Sequence, residues 1–338
     1  MTIGASWRDG ARRVNHAGIV LVGVWLMTIL ISVPMALVLH GMIAQHLGDS
    51  LAADSAASGA NYEWMQEFAD QASGVGVTFK PTIIGFGAVL DNLSAFLDAS
   101  RRPLVVGAVA AVYVGLWLFV AGGVIDRLAR GRVVGASGFF AASGVYFWRF
   151  LRLGILQLAV YWLLFGSAHA FLFDRVYRRT THDMNVEREA FAVRVALYVI
   201  FAVLVGAANL IFDYAKIRAV VEDRRSMLSA LGAAMRFVGR NGAALGLYIV
   251  NVIVFLLCVA AYALVAPGAR GSGTAAWIGF SIGQAYILVR LWIKLVFWAS
   301  ETSLFQARLA HAGYVAAPVP TWPDSPSAEA IAQTSASL

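Results

Sequence analysis

The sequence predicts an all-α protein, a polytopic bundle of six transmembrane helices with amphipathic helices at the membrane interface. The chain is 60% hydrophobic and only 13% charged, which is about half the charged fraction of a soluble domain. Six segments each supply about 20 mostly apolar residues, enough to cross a hydrocarbon core about 30 Å thick. We expect helices because a helix satisfies its own backbone polar groups in lipid. The predicted spans are 17–39, 103–125, 153–173, 190–212, 243–266 and 275–297.

The spans are expected to form one membrane domain, residues 1–314. A disordered cytoplasmic tail is predicted over 315–338, where Pro, Ser and Ala predominate. The acidic connection after the first span, 41–102, is predicted to be an outer insertion. After Pro81, apolar residues recur within it every three or four positions, which predicts an amphipathic helix over 81–100.

Two connections on the other side, 138–152 and 220–240, are each predicted to be an elbow helix along the membrane surface. The first combines aromatic residues with Arg149 and Arg152, a composition typical of the interface. The second has apolar residues at helical spacing, and Ser226 precedes them as a candidate N-cap.

The distribution of basic residues predicts the orientation of the chain. Segments 1–16, 126–152 and 213–240 together carry 14 Arg and Lys residues, whereas the other connections carry eight. Because Arg and Lys are retained on the cytoplasmic side, both termini are expected in the cytoplasm. Topology and contact with lipid phosphates then explain the net charge of +7, and nucleic acid is not an expected partner.

Regular spacing between charged residues suggests an internal repeat. Asp126, Asp213 and Glu301 end the three helices that enter the cytoplasm, with separations of 87 and 88 residues. Arg149 and Arg236 each follow an acid after 23 residues. These spacings predict three tandem helical hairpins, with Asp126–Arg149 and Asp213–Arg236 as structural ion pairs. The alternative is that bilayer hairpins have similar lengths and charged ends for general reasons.

Charged residues on the sixth span are candidates for binding an anionic lipid headgroup. Arg290 and Lys294 are four residues apart on one face, and Glu301 follows on the same face. Gln284 is one to two turns deeper and could donate a further hydrogen bond. In the alternative interpretation, Arg290 and Lys294 extend to the membrane surface and only anchor the helix.

The sequence contains no recognisable catalytic motif, and no cofactor is expected. His169, Asp174, His182 and Asp183 are weak candidates for a metal site, because no pair of ligands has helical metal-binding spacing. The lone cysteine, Cys258, lies within the fifth span and is expected to pack as a small apolar residue.

The stretch from Asp213 to Asn241 joins the end of a span to an apolar helical pattern and ends on Arg236-Phe237 followed by Asn241. It resembles a module of bacterial six-helix integral membrane proteins of unknown function, which include membrane domains attached to some glycerophosphodiester phosphodiesterases. The resemblance extends to about Tyr262 and implies a six-helix bundle with re-entering interfacial helices. The protein is expected in the bacterial cytoplasmic membrane. No soluble phosphodiesterase domain is expected here, so the resemblance transfers no catalytic residue.

These observations favour a non-enzymatic multi-pass membrane protein that binds lipid or a partner protein in envelope or transport machinery. The expected partners are therefore membrane lipids and, in addition, a membrane protein. A small transporter or channel is the first alternative, favoured if Arg290, Lys294, Asp126 and Asp213 line one cavity. An integral-membrane enzyme acting on lipid is the second, and it requires the histidines and aspartates named above to converge.

Overall fold

The computed structural model describes residues 1–48, 50–58, 61–80, 85–131, 135–268 and 273–311, and these contain helices and no strands. The α-helices are α1 Ile3–Asn15, α2 Gly18–Gly48, α3 Ala53–Ser58, α4 Tyr62–Gln71, α5 Phe86–Leu97, α6 Leu104–Arg130, α7 Ala136–Leu163, α8 Arg178–Thr181, α9 Glu187–Val221, α10 Met227–Arg240, α11 Gly242–Val265 and α12 Thr274–His311. A 3₁₀ turn covers Gly76–Thr78. Two π-helical segments, Leu164–Ala168 and Phe171–Tyr177, join α7 to α8 within one continuous helix.

Within the described part of the chain, six helices are long and apolar enough to cross a membrane: α2, α6, the continuous α7–α8 helix, α9, α11 and α12. The predicted all-α, six-span fold is therefore confirmed. The prediction of a separate elbow helix over 138–152 is wrong, because these residues are the first turns of α7. The second elbow region contains a helix, α10, which begins after its N-cap Ser226.

Some of the sequence predictions fall only partly within the described residues. The helix predicted over 81–100 corresponds to α5, which runs over Phe86–Leu97, and residues 81–84 lie outside the described part of the chain. The tail predicted over 315–338 lies outside it entirely.

The bundle is arranged around α12, which contacts α1, α2, α6, α9 and α11. The buried residues of α12 cluster in its second half, and those of α6 lie mainly toward its end. We call the end of the bundle where these buried residues cluster the basic end. It comprises α1, α10, the end of α6 and the second half of α12. The opposite, distal end carries α4 and α5. The core is therefore concentrated at the basic end, and much of the apolar surface elsewhere is exposed, as helices facing lipid require.

At the basic end, α1 lies directly against α12. A Cβ atom built on Gly10 would lie 2.5 Å from the backbone nitrogen of Ser300, so the two backbones meet where Gly10 has no side chain. The hydroxyl of Ser300 in turn accepts a hydrogen bond of 3.0 Å from the Asn251 amide of α11. Three helices are therefore joined at this point by close packing and a buried polar contact.

A second polar contact joins α1 to α12 through Asp9. Its carboxylate accepts hydrogen bonds of 2.8 Å from both Ser303 and Arg13. Burial raises the pKa of Asp9, but hydrogen bonds from Arg12 and Ser303 and the charge of Arg13 outweigh this effect and lower it. The ionised carboxylate therefore stabilises the folded protein at neutral pH, and this contribution is lost as the pH falls through the lowered pKa of the folded state.

Candidate functional site

A cleft of about 540 Å³ lies at the basic end between α9, α10 and α12. We call it the arginine cleft, because its lining includes Arg218, Arg224, Arg236, Arg240 and Arg308. The aromatic rings of Phe237 and Phe305 form part of the same lining, with their centroids 5.1 Å apart. The cleft therefore combines strong positive charge with aromatic surface.

Two of the five arginines share one carboxylate partner, which leaves one positive charge between them. Arg218 donates to both oxygens of Glu222, at 2.8 and 3.0 Å, and to the carbonyl oxygen of Ala233 at 2.9 Å. Arg224 also pairs with Glu222. This network fixes the wall between α9 and α10, and it uses most of the hydrogen-bonding capacity of Arg218.

The other three arginines carry most of the unbalanced charge of the cleft. Across the described ranges, no carboxylate pairs with Arg236, Arg240 or Arg308. Arg236 and Arg240 are one turn apart on α10, and Arg308 comes from α12. All three are exposed, so their guanidinium groups are accessible to an anion.

The sequence of α10 explains how the helix presents these arginines. Its Ser226 side chain accepts a hydrogen bond from the backbone N–H of Ser229 and caps the first turn. One side of the helix is buried against the bundle through Met227, Ala230, Ala233 and Ala234. Leu228 and Met235, seven residues apart, are exposed on another side, so Arg236 and Arg240 lie between a packed side and an apolar exposed side.

A second polar region lies inside the bundle around Lys294; we call it the Lys294 site, comprising Lys294, Trp117, Trp298, Asp213 and Lys216. The Lys294 ammonium lies 4.5 Å from the ring centroid of Trp117 and 5.5 Å from that of Trp298. Asp213 accepts hydrogen bonds of 3.0 Å from Lys216 and 3.1 Å from the Trp298 indole. The site therefore joins α6, α9 and α12 through charged and aromatic side chains.

The two predicted ion pairs do not form. Asp126 pairs with Arg130 at 2.6 Å, one turn away on its own helix. Arg149 pairs at 2.5 Å with Asp223, in the connection before α10. Asp126 and Asp213 therefore each pair with a basic residue three or four positions along the same helix. The 23-residue spacing did not indicate these pairs. The tandem repeat itself stays a prediction.

The remaining candidates on the sixth span are separated by the fold. Gln284 accepts a hydrogen bond of 3.1 Å from the Trp25 indole of α2. Arg290 is exposed, and Lys294 lies over the two tryptophans. Glu301 is fully buried, and neither carboxylate oxygen has a hydrogen-bond partner in the described part of the protein.

The four weak metal candidates make unrelated contacts at the distal end. His169 contacts the Leu97 carbonyl oxygen at 2.9 Å, Asp174 is 3.8 Å from Arg178, and His182 contacts Asp183 at 2.8 Å. Within the ranges that the structure covers, no three His, Cys, Asp or Glu side chains are grouped as metal ligands. This arrangement gives no support to the alternative of a metal-dependent lipid enzyme.

Sequence reasoning missed the arginine cleft as a site. The four-residue spacing of Arg236 and Arg240 was visible, but Arg218 and Arg308 come from helices distant in sequence, and only the fold brings them together.

Comparisons of the chain with protein families, with curated proteins and with solved structures find no match.

Proposed function

We propose that this protein is a non-enzymatic membrane-embedded module that binds the phosphate headgroup of an anionic phospholipid in the arginine cleft. The observation that carries the proposal is the presence in one cleft of three arginines that no carboxylate of the described residues pairs with, Arg236, Arg240 and Arg308. A guanidinium group binds phosphate through two parallel charge-assisted hydrogen bonds. The charge of the cleft and its position on the bundle support this proposal.

The position of α10 favours a lipid as the source of the phosphate. An interfacial amphipathic helix inserts its apolar side among the lipid chains and keeps its basic side at the headgroups. With Leu228 and Met235 in the apolar layer, Arg236 and Arg240 reach the level of the phosphates. A lipid headgroup could then enter the cleft from the side while its acyl chains remain in the bilayer.

Removing two unpaired arginines tests the proposal. We expect Arg236→Gln/Arg240→Gln to weaken phosphatidylglycerol binding about a hundredfold or more, because each of the two lost charge-assisted pairs costs about 1.5–3 kcal/mol. Binding is measured by native mass spectrometry of the full chain in detergent, with phosphatidylethanolamine as the zwitterionic reference. The matched control is Arg8→Gln/Arg179→Gln, which removes the same charge from two exposed arginines outside the cleft.

Unchanged phosphatidylglycerol binding in the cleft variant, or an equal loss in the control, would contradict the proposal. Adding inorganic phosphate distinguishes the two sources of phosphate. If free phosphate displaces the lipid at low concentration, the cleft belongs to a soluble anion and the lipid assignment is wrong. A similar far-UV circular dichroism spectrum for all variants excludes loss of the fold as the cause.

We further propose that the basic end faces the cytoplasm of a bacterium, with the protein in the cytoplasmic membrane. The excess of Arg and Lys in segments 1–16, 126–152 and 213–240 supports this orientation. A reporter fused after Leu338 is therefore expected to be active as a cytoplasmic marker, and one inserted between residues 58 and 59 as an external marker. Activity of both reporters on one side of the membrane would refute the topology.

A further inference from the structure

We propose that a groove between α7 and the start of α10 is a second lipid site, which takes the phosphate of an anionic phospholipid together with part of an acyl chain. The groove has a volume of about 550 Å³. We call it the α7–α10 groove, and its lining comprises Arg152, Ile155 and Leu156 of α7 and residues 225–228. Among the described residues it shares none of its lining with the arginine cleft, so this proposal does not depend on the proposed function.

Two arginines supply the positive charge of the α7–α10 groove. Arg152 donates from Nε to the carbonyl oxygen of Trp148 at 3.1 Å, which orients its guanidinium group. Across the part of the chain that the structure describes, no carboxylate pairs with Arg152 or Arg225. Both residues are exposed. Because guanidinium groups bind phosphate through charge-assisted hydrogen bonds, the groove offers two cations to one headgroup.

An ion pair beside the groove joins its two walls. Arg149, one turn before Arg152 on α7, donates to Asp223 at 2.5 Å. It also donates to the carbonyl oxygen of Arg224 at 3.4 Å. These contacts attach α7 to the connection before α10 and occupy the acid nearest to Arg225 in sequence. The arginines of the groove are therefore held on two connected segments, while their own charges stay unpaired.

The position of Arg152 along α7 indicates the level of the groove in the membrane. No Asp, Glu, Lys or Arg follows Arg152 in the sequence until Asp174. Basic residues at such a boundary lie among the lipid headgroups. Ile155 and Leu156 come three and four residues later, so the groove extends up to about 6 Å further toward the hydrocarbon layer at 1.5 Å per residue.

The apolar side chains beside the arginines indicate that the ligand carries an acyl chain. Four of the seven described lining residues are apolar, and Ile155 and Leu228 are 58% and 69% exposed. Further along α7, the exposed Ala159 and Trp162 continue the face of Ile155. From Arg152 to Trp162 this face extends about 15 Å, which is the depth of one leaflet. A soluble anion would leave this surface uncovered, so the charge and the apolar face together fit a phospholipid.

Native mass spectrometry of the full chain in detergent tests the groove in the Arg236→Gln/Arg240→Gln background, which removes two cations from the arginine cleft. We expect one molecule of palmitoyl-oleoyl phosphatidylglycerol to stay bound, in preference to phosphatidylethanolamine with the same chains. Adding Arg152→Gln/Arg225→Gln should weaken this binding about a hundredfold or more, because two charge-assisted pairs are lost. An unchanged lipid affinity in the background variant would contradict the arginine cleft alone, so the two proposals can fail separately.

Two matched controls accompany this test. Arg8→Gln/Arg179→Gln removes the same charge from exposed arginines outside the groove and should leave binding within about threefold. Ile155→Trp fills the apolar part of the groove without changing a charge, and it should weaken binding about tenfold or more. Its control is Ile278→Trp on α12, at a residue that is 57% exposed, which should leave binding within about threefold.

The proposal would be overturned if the background variant bound no phosphatidylglycerol selectively, or if Arg152→Gln/Arg225→Gln left that binding unchanged. An equal loss in the charge control, or no loss in Ile155→Trp, would have the same meaning. Glycerol phosphate, the headgroup portion without acyl chains, should not displace the lipid. If it does so at low concentration, the groove belongs to a soluble anion and the proposal is wrong. A similar far-UV circular dichroism spectrum for all variants excludes unfolding as the cause.

Discussion

Gly10→Ala is expected to lower the free energy of unfolding by about 3 kcal/mol, because overpacking at a site that cannot relax costs at the upper end of the usual range. The added methyl group would lie 2.5 Å from the backbone nitrogen and 2.6 Å from the Cα atom of Ser300. Neither atom belongs to a flexible side chain, so α1 must move away from α12. The unfolding transition in mixed detergent micelles measures the loss.

Gly4→Ala is the matched control for this prediction. Gly4 lies on the same helix, and a Cβ atom at this position has no neighbour within 4 Å. Alanine is there expected to stabilise α1 by up to about 1 kcal/mol through its higher helix propensity. Equal stability of the two variants would show that α1 does not pack against α12 as described.

Asp213→Ala is expected to destabilise the protein by about 3–5 kcal/mol, the usual effect of leaving one partner of a buried ion pair without its counter-charge. The Asp213 and Lys216 side chains are 16% and 13% exposed, so water compensates little for the loss. The substitution also removes the acceptor of the Trp298 indole. The double variant Asp213→Leu/Lys216→Met removes both charges and is expected to recover most of the lost stability.

The exposed pair Asp174–Arg178 provides the comparison for Asp213. These side chains are 64% and 78% exposed and 3.8 Å apart, so Asp174→Ala is expected to change stability by less than about 1 kcal/mol. Both effects are read from the same micelle unfolding curves. A loss in Asp213→Ala no larger than that in Asp174→Ala would mean that the Asp213–Lys216 pair is well hydrated.

The number and type of the helices could be predicted because hydropathy depends only on local sequence. The ends of the helices were less predictable: α9 continues to Val221 and α12 to His311, beyond the apolar segments. At those ends Asp213, Lys216 and Glu301 are covered by neighbouring helices rather than by lipid. A helix end drawn where the hydropathy falls therefore lies before the true end of the helix. The protein interior tolerates polar helix turns that the bilayer does not.

The candidate sites were less predictable than the fold, because each depends on pairings between distant segments. Lys294 was identified from its position in an apolar span, but its contact with Trp117 of α6 could not be read from the sequence. Asp126 and Arg149 were assigned to each other from regular spacing. Both instead pair with residues that geometry brings nearer, Arg130 and Asp223.

The central position of α12 has a thermodynamic consequence. This one helix supplies Lys294 to the Lys294 site and Arg308 to the arginine cleft. The two residues are about 21 Å apart along the helix axis at 1.5 Å per residue. A displacement of the helix at either position is transmitted to the other through a continuous hydrogen-bonded backbone. If anion binding in the proposed arginine cleft changes the free energy of the Lys294 contacts, a substitution in those contacts changes the affinity of the cleft by the same free energy.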